Sequence, residues 1–415
     1  MTTSTTVRGE GLPHAAQRRV LIVLVAAQIL SGAGLAAGVT VGALLAQDML
    51  GSTGLAGLPS ALGTAGSALA AVAVGRISQA RGRRPGLAAG YLAGAIGSAG
   101  VVVAAVAGNA PLLFFALFVY GAGTATNLQA RYAGADLAAP AHRARAVSTV
   151  LVATTLGGVV GPNLTALTGD LAKTLGIPYL SGPFLLAGTA YALAAVVLAV
   201  WLRPDPLLLA RALEAERVAA EKQSGTTPLV TTPHRAGVLA GALIMVLTQL
   251  VMVAIMTMTP VHMHEHGHST AAAGLVIGIH IGAMYLPSPV TGRLVDRYGR
   301  LPIAALAGLT LLAAGIVAAA APDDSLVLFA VALALLGVGW NFGLVAGTAL
   351  LTDAVPLATR AKTQGLVDVS VAIAGATGGM ASGLVVAAAG FPLLALGGGI
   401  LALAILPAVV AVRFR

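Results

Sequence analysis

Cysteine is absent from the 415-residue chain, which excludes a disulfide framework, a zinc finger and any thiolate metal site. Charged residues make up only 9%, against about 25% in a soluble globular domain, so most of the chain must face lipid or other buried helices. Aromatic side chains account for 4%, which argues modestly against a cavity walled for large aromatic compounds. The sequence holds no Gly-x-x-x-x-Gly-Lys-Ser/Thr stretch, so it lacks the usual phosphate cradle of an ATP-driven pump. It holds no nucleophile or zinc-hydrolase motif either, and an enzyme is not expected. The strict apolar/polar alternation of a membrane β-barrel is also missing.

What is present is hydrophobic, at 58% of residues. At roughly 20 residues per crossing the chain accommodates about a dozen helices, and its 53 glycines suit helices that pack closely through small residues. The expected class is therefore an all-α membrane protein with twelve transmembrane helices. The spans read 20–47, 55–77, 86–108, 111–136, 146–169, 181–202, 236–262, 270–295, 301–321, 325–353, 362–388 and 391–412. The polar stretch 1–19 runs straight into the first span, which is too long for a cleaved signal peptide.

The net charge of +9 follows this topology. Arg8, Arg18 and Arg19 precede the first span. Arg76, Arg81, Arg83, Arg84, Arg143, Arg145, Arg293, Arg297, Arg300, Arg360 and Lys362 fall in loops after even-numbered spans, and Arg413 and Arg415 end the chain. The opposite loops hold Lys173 alone. This is the positive-inside pattern with both termini cytoplasmic. The expected surroundings are the lipid bilayer of a bacterial cytoplasmic membrane, and no nucleic-acid partner is needed to explain the basic excess.

The chain repeats itself at an offset of 217. Gly75-Arg-Ile-Ser-Gln-Ala-Arg-Gly-Arg-Arg84 recurs as Gly292-Arg-Leu-Val-Asp-Arg-Tyr-Gly-Arg-Leu301, and the same shift takes Asp136 to Asp353, Arg143 to Arg360 and Arg145 to Lys362. Landmarks sharing one register mark an internal duplication of two six-helix halves, residues 20–202 and 236–412. Between them, 203–235 reads as a cytoplasmic linker with an amphipathic helix from Pro206 to Lys222 and a flexible stretch Ser224-Gly-Thr-Thr-Pro228. Residues 1–19 and 413–415 are the cytoplasmic ends.

The motif Gly-x-x-x-Asp-Arg-x-Gly-Arg resembles the signature of the major facilitator superfamily. The second copy is intact at Gly292, Asp296, Arg297, Gly299 and Arg300. The first keeps Gly75, Arg83 and Arg84 but has Gln79 and Ala80 in place of Asp and Arg, so it lacks the carboxylate for charge-relay gating. Gly157-Gly-Val-Val-Gly161-Pro162-Asn163 resembles the Gly/Pro motif frequent in the superfamily's exporters. The resemblance spans the whole chain and implies the major facilitator fold.

Two pairs of soft ligands lie within the expected spans: Met252-Val-Ala-Ile-Met256, and His280-Ile-Gly-Ala-Met284. Each i,i+4 pair shares a helix face, and thioether with imidazole suits Cu(I) without bringing charge into the bilayer. At 1.5 Å per residue, Met252 and His280 both lie about 15 Å below the outer surface, so these two are expected at one level. Between the pairs runs Met258-Thr-Pro-Val-His262-Met263-His264-Glu265-His266-Gly-His268, read as an outer loop whose His262, Met263, His264, His266 and His268 would capture metal. Six of nine methionines and five of eight histidines fall between Met245 and Met284, a clustering that favours ligands over methionines filling gaps. The pattern is similar to that of the CcoA-like copper importers. That resemblance implies Met252, Met256, His280 and Met284 as ligands and copper as substrate rather than prosthetic group. It further implies delivery for haem–copper cytochrome oxidase assembly, a monomer, and a cytoplasmic copper chaperone as partner.

Asp368, inside the eleventh span, is read either as a proton-coupling carboxyl or as half of an ion pair. Arg131, Asp136 and Asp353 are expected in gating or structural ion pairs. Gln28, Asn127, Gln129, Gln249 and Asn341 are candidates to line a central cavity, and Pro287 with Pro289 to hinge or kink the eighth span. Two rivals stand beside copper import by alternating access. One is a proton-coupled drug or metabolite exporter, and the other a membrane-embedded copper sensor or oxidase-assembly scaffold.

Overall fold

A computed structural model describes residues 6–50, 58–224 and 234–413. Residues 225–233 of the linker, Arg415, and the side chains of Arg8, Pro162 and Arg413 lie outside the described residues. All regular structure among the described residues is helical. It begins with α1 (Thr6–Leu50), α2 (Leu58–Arg81), α3 (Arg83–Val106), α4 (Ala110–Ala135), α5 (Arg143–Asn163), α6 (Thr165–Thr174) and α7 (Gly182–Trp201). The connector helix α8 (Pro206–Gln223) follows, then α9 (Arg235–Glu265), α10 (Thr270–Tyr285), α11 (Ser288–Tyr298) and α12 (Arg300–Ala320). The last are α13 (Leu326–Ala354), α14 (Arg360–Ala402) and α15 (Ile405–Arg413).

Among the described residues, ten stretches are long and apolar enough to cross a membrane. One of them, Arg360–Ala411, is bent at Gly390, whose φ of 82° is not helical, and this is where the sequence separates its last two spans. Helix α5 is not among the ten; with α6 it covers the region read as span five. Helix α1 begins at Thr6, inside the stretch read as the N-terminal end. The kink expected at Pro287 and Pro289 is present: the eighth span is broken at Leu286 and Pro287 into α10 and α11, as two closely spaced prolines cost backbone hydrogen bonds. The His/Met segment is divided: residues 258–265 complete α9, while His266, Gly267 and His268 lie in the connection to α10.

Two compact units divide the chain. The first comprises 1–139, 149–232 and 355–369, and the second 140–148, 233–354 and 370–415. The start of α5 therefore belongs to the second unit and the start of α14 to the first, a division that the linear boundaries 20–202 and 236–412 do not contain.

The first unit is centred on aromatic contacts. Tyr91 stacks on Tyr191 with centroids 5.8 Å apart, and Tyr120 leans on the same ring at 5.7 Å. Backbone close approach does the rest: a Cβ on Gly157 would lie 2.1 Å from the Ile29 carbonyl, so only glycine lets α5 meet α1 there. This is the packing role of the Gly/Pro motif. The connector helix is clamped rather than loose. Asp205 caps α8 by accepting from the Leu207 and Leu208 N–H groups and also accepts from Arg84 N–H at 2.7 Å. Arg211 donates to the carbonyls of Gln79 and Leu357.

The second unit is organised around α13, which packs against α9, α10 and α12. The internal repeat is visible in local geometry. Gly82 and Gly299, equivalent positions of the duplicated motif, have φ of 100° and 99°, a conformation that disfavours side chains with a Cβ.

Candidate functional site

His280 lies on α10 and is fully buried. Its Nδ1 is 2.9 Å from the Leu333 carbonyl on α13. A carbonyl only accepts, so Nδ1 carries the hydrogen, and in the neutral ring the lone pair sits on Nε2. That Nε2 is buried without a hydrogen-bond partner among the described residues. This is how metal-binding imidazoles are usually held, with one nitrogen fixed by a backbone acceptor and the other left to the ion.

Helix α13 also serves as a ruler for the neighbouring Met and His side chains. From α9, Met245 and Gly241 meet Gly347, Thr248 meets Gly343, Gln249 accepts from the Trp340 indole N–H at 2.8 Å, and His262 contacts Phe329. From α10, the backbone of His280 and Met284 meets Gly337, and the Met284 carbonyl accepts from Asn341 Nδ2 at 2.7 Å. Interpolation along regular helices puts Met256 and His280 at one level, near Leu335, and Met252 with Met284 about one turn further along, near Gly339. The expected level shared by Met252 and His280 is thus corrected by one turn. The error came from counting depth from an assumed membrane edge on two helices whose ends differ. Met252 and Met284 are buried and Met256 is partly buried.

The residues read as a capture loop are divided by the fold. Met263 is fully buried and cannot collect an ion from water, and His264 is exposed. His262 and His266 converge on Asp323, in the connection between α12 and α13, at 3.2 and 3.5 Å. His268 donates through Nε2 to the Asp323 backbone carbonyl. Asp323 has no sequence signal, because it lies far along the chain in an ordinary polar turn.

Asp368 is buried in the first unit and ion-paired: Arg131 Nη2 lies 2.7 Å from Oδ1, and the Tyr132 hydroxyl donates to the same oxygen at 3.0 Å. Asp368 Oδ2 is buried with no hydrogen-bond partner among the described residues. The guanidinium of Arg131 also sits 4.2 Å over the Tyr132 ring, a cation–π arrangement strengthened by burial. Of the two readings of Asp368, the ion pair is present, its arginine coming from within α4 rather than from a loop.

The duplicated motif builds two similar clusters. Asp296 accepts from Ala144 and Arg145 N–H at 3.1 Å each, so its charge meets the N-terminus of α5. Arg300 and Arg143 both reach Asp353, at 2.9 and 2.5 Å. In the first unit Arg83 pairs with Asp136 at 2.8 Å, both fully buried, and Arg360 lies 3.9 Å from the same carboxylate. Gln79 takes the place of the missing aspartate: its Oε1 accepts from Ala361 N–H at 2.8 Å and its Nε2 donates to the Ala358 carbonyl at 2.6 Å. Gly75 and Gly292 let α2 and α11 approach the starts of α14 and α5. Arg297 instead rests over the Tyr298 ring.

The amides expected to line a cavity are tied into packing. Gln28, Ser31, Tyr91, Asn127 and Thr154 hydrogen-bond one another, Gln129 donates to the Ala71 carbonyl, and Asn341 bonds Ser288 and Thr291.

Comparison with known proteins agrees with this architecture. The profile of the Major Facilitator Superfamily matches residues 20–285 and 241–415. The chain is 57% identical over 401 residues to the Bacillus subtilis protein named "Uncharacterized MFS-type transporter YdeG", covering 96% of this chain and 93% of that one. It is 33% identical over 362 residues to the riboflavin transporter RfnT of Brucella anthropi, covering 85% of each. Among solved structures, the human organic anion transporter MFSD10 superposes with a TM-score of 0.76 at 15% identity, over 95% of this chain and 99% of that one.

Proposed function

The chain belongs to the Major Facilitator Superfamily of secondary transporters, and we propose that its cargo is copper, taken as Cu(I) into a bacterial cytoplasm by alternating access. The observation that carries this reading is Nε2 of His280. It is a buried imidazole lone pair with its tautomer set by Leu333, on a helix that bears Met284 one turn away and level with the thioethers of α9. Soft, uncharged donors of this kind favour Cu(I) over Zn(II) or Mg(II). Met256 and His280 would make the outer step of the path, and Met252 with Met284 the inner one. Asp368 and Arg131 are the proposed coupling pair, because a proton taken up by the carboxyl would release the arginine.

A second reading has one observation in its favour, the 33% identity to a protein named for riboflavin transport. The second unit offers a little ring surface for a planar substrate: Tyr285 and Trp340 meet edge to face at 5.5 Å, with the indole N–H bound by Gln249.

The test is uptake into proteoliposomes of the purified chain, with radiolabelled copper under a reductant in one arm and riboflavin in the other. Copper accumulation that falls about 10-fold or more in His280→Ala supports the proposal. Riboflavin uptake without copper uptake overturns it, and copper binding without uptake identifies a sensor or scaffold instead.

A further inference from the structure

We propose that His262, His266 and Asp323 form a binding site for a divalent transition-metal ion of borderline softness, of the Zn(II) or Cu(II) class. The site is distinct from His280 and independent of what cargo the transporter carries. One ligand atom from each residue falls within 4.8 Å of the others. The two imidazoles address different oxygens of one carboxylate, Oδ1 from His262 at 3.2 Å and Oδ2 from His266 at 3.5 Å.

The hydrogen-bond pattern identifies the atoms that face the ion. His266 Nδ1 is 2.8 Å from the His262 carbonyl. Because that oxygen only accepts, Nδ1 holds the hydrogen, and Nε2 of the neutral ring turns a lone pair toward the Asp323 carboxylate. Two electron-rich groups at that distance are held together by a proton or by a metal ion. A proton on each ring joins that ring alone to the carboxylate, whereas one metal at about 2.0–2.2 Å from each donor serves both imidazoles and the carboxylate together.

The supporting contacts are those of a held site. The His262 ring stacks on Phe391 with centroids 4.5 Å apart and 15° between planes, and meets Phe329 edge-on. His268 fixes the turn that carries Asp323 by donating to its backbone carbonyl. Such outer contacts orient ligands and tune affinity by about 10–100-fold. Asp323 is 60% exposed, so a water can complete the coordination. The cluster is His262, His266 and Asp323, a nitrogen–oxygen donor set that suits Zn(II) or Cu(II) rather than Cu(I). A bound ion would fasten the last turn of α9 to the α12–α13 connection.

The experiment is a titration of the purified full chain, with any polyhistidine tag removed and metal stripped by a chelating resin, using Zn(II) alone against a chromophoric competitor. The expected result is one Zn(II) per chain, bound about 10-fold or more weakly by Asp323→Asn and by His266→Ala, and unaffected by Met256→Leu or His280→Ala. Zn(II) should also raise the melting temperature of the wild type and not of Asp323→Asn, whose metal-free melting checks that it is folded. Equal affinity in wild type and Asp323→Asn, or no stoichiometric Zn(II) in the wild type, overturns the proposal. Loss of Zn(II) binding in His280→Ala assigns the ion to the other site and overturns it as well.

Discussion

Gln79 and Asp296 stand 217 positions apart and cap equivalent helices: Gln79 Oε1 accepts from Ala361 N–H at 2.8 Å, and Asp296 Oδ1 from Ala144 N–H at 3.1 Å. The amide does by hydrogen bonding alone what the carboxylate does with charge. It adds what a carboxylate lacks, a donor that reaches the Leu357 and Ala358 carbonyls. The degenerate motif therefore keeps its structural task and loses only its charge.

That difference is measurable. Asp296→Ala removes a helix cap and should lower stability by about 1 kcal/mol. Gln79→Glu, though the same size, turns a carboxylate oxygen toward two carbonyls and should cost about 1–3 kcal/mol. Thermal melting in detergent checks both. A Gln79→Glu variant as stable as wild type would remove the donor role assigned to the amide.

Arg131 and Asp368 provide a second test. Cutting a buried pair leaves an uncompensated charge, so Arg131→Ala should destabilise by about 3–5 kcal/mol. The double change Arg131→Met with Asp368→Leu should restore much of that loss, since an apolar pair of similar volume avoids desolvating two ions. Transport driven by a proton gradient should still fail in the double variant. Normal gradient-driven uptake there would exclude the pair from coupling.

If copper follows the proposed path, the levels of Met256 with His280 and of Met252 with Met284 predict which substitutions interact. Met256→Leu and His280→Ala act on one step of the proposed path, so copper uptake in the double variant should be little worse than in His280→Ala. Met252→Leu and Met284→Leu should show the same relationship. Strict multiplicative losses within each pair, measured as initial uptake rates, would contradict the assignment of levels.

Two neighbouring glycines should answer oppositely to the same change. Gly157→Ala drives a methyl group into the Ile29 carbonyl, whereas a Cβ at Gly158 meets nothing within 4 Å. The first should cost about 1–3 kcal/mol through overpacking. The second should be neutral or stabilise by up to about 1 kcal/mol through helix propensity. Melting temperatures of the two single variants decide the matter.

By itself the sequence determined the helical membrane class, the duplication, the family motif, and the break between the last two spans. Each of these rests on local pattern: long apolar runs and a repeated glycine and arginine spacing. What only the tertiary structure decided is which distant residues meet. Asp368 pairs with Arg131, Asp323 joins His262 and His266, and Met256 rather than Met252 stands level with His280. The reason is physical. Helices that are apolar nearly all round carry no strong stripe to show which face turns inward, so rotation and register come from close packing through glycines such as Gly337 and Gly343. The Met and His pairs were legible as residues, and their arrangement depended on α13, the helix packed against both α9 and α10.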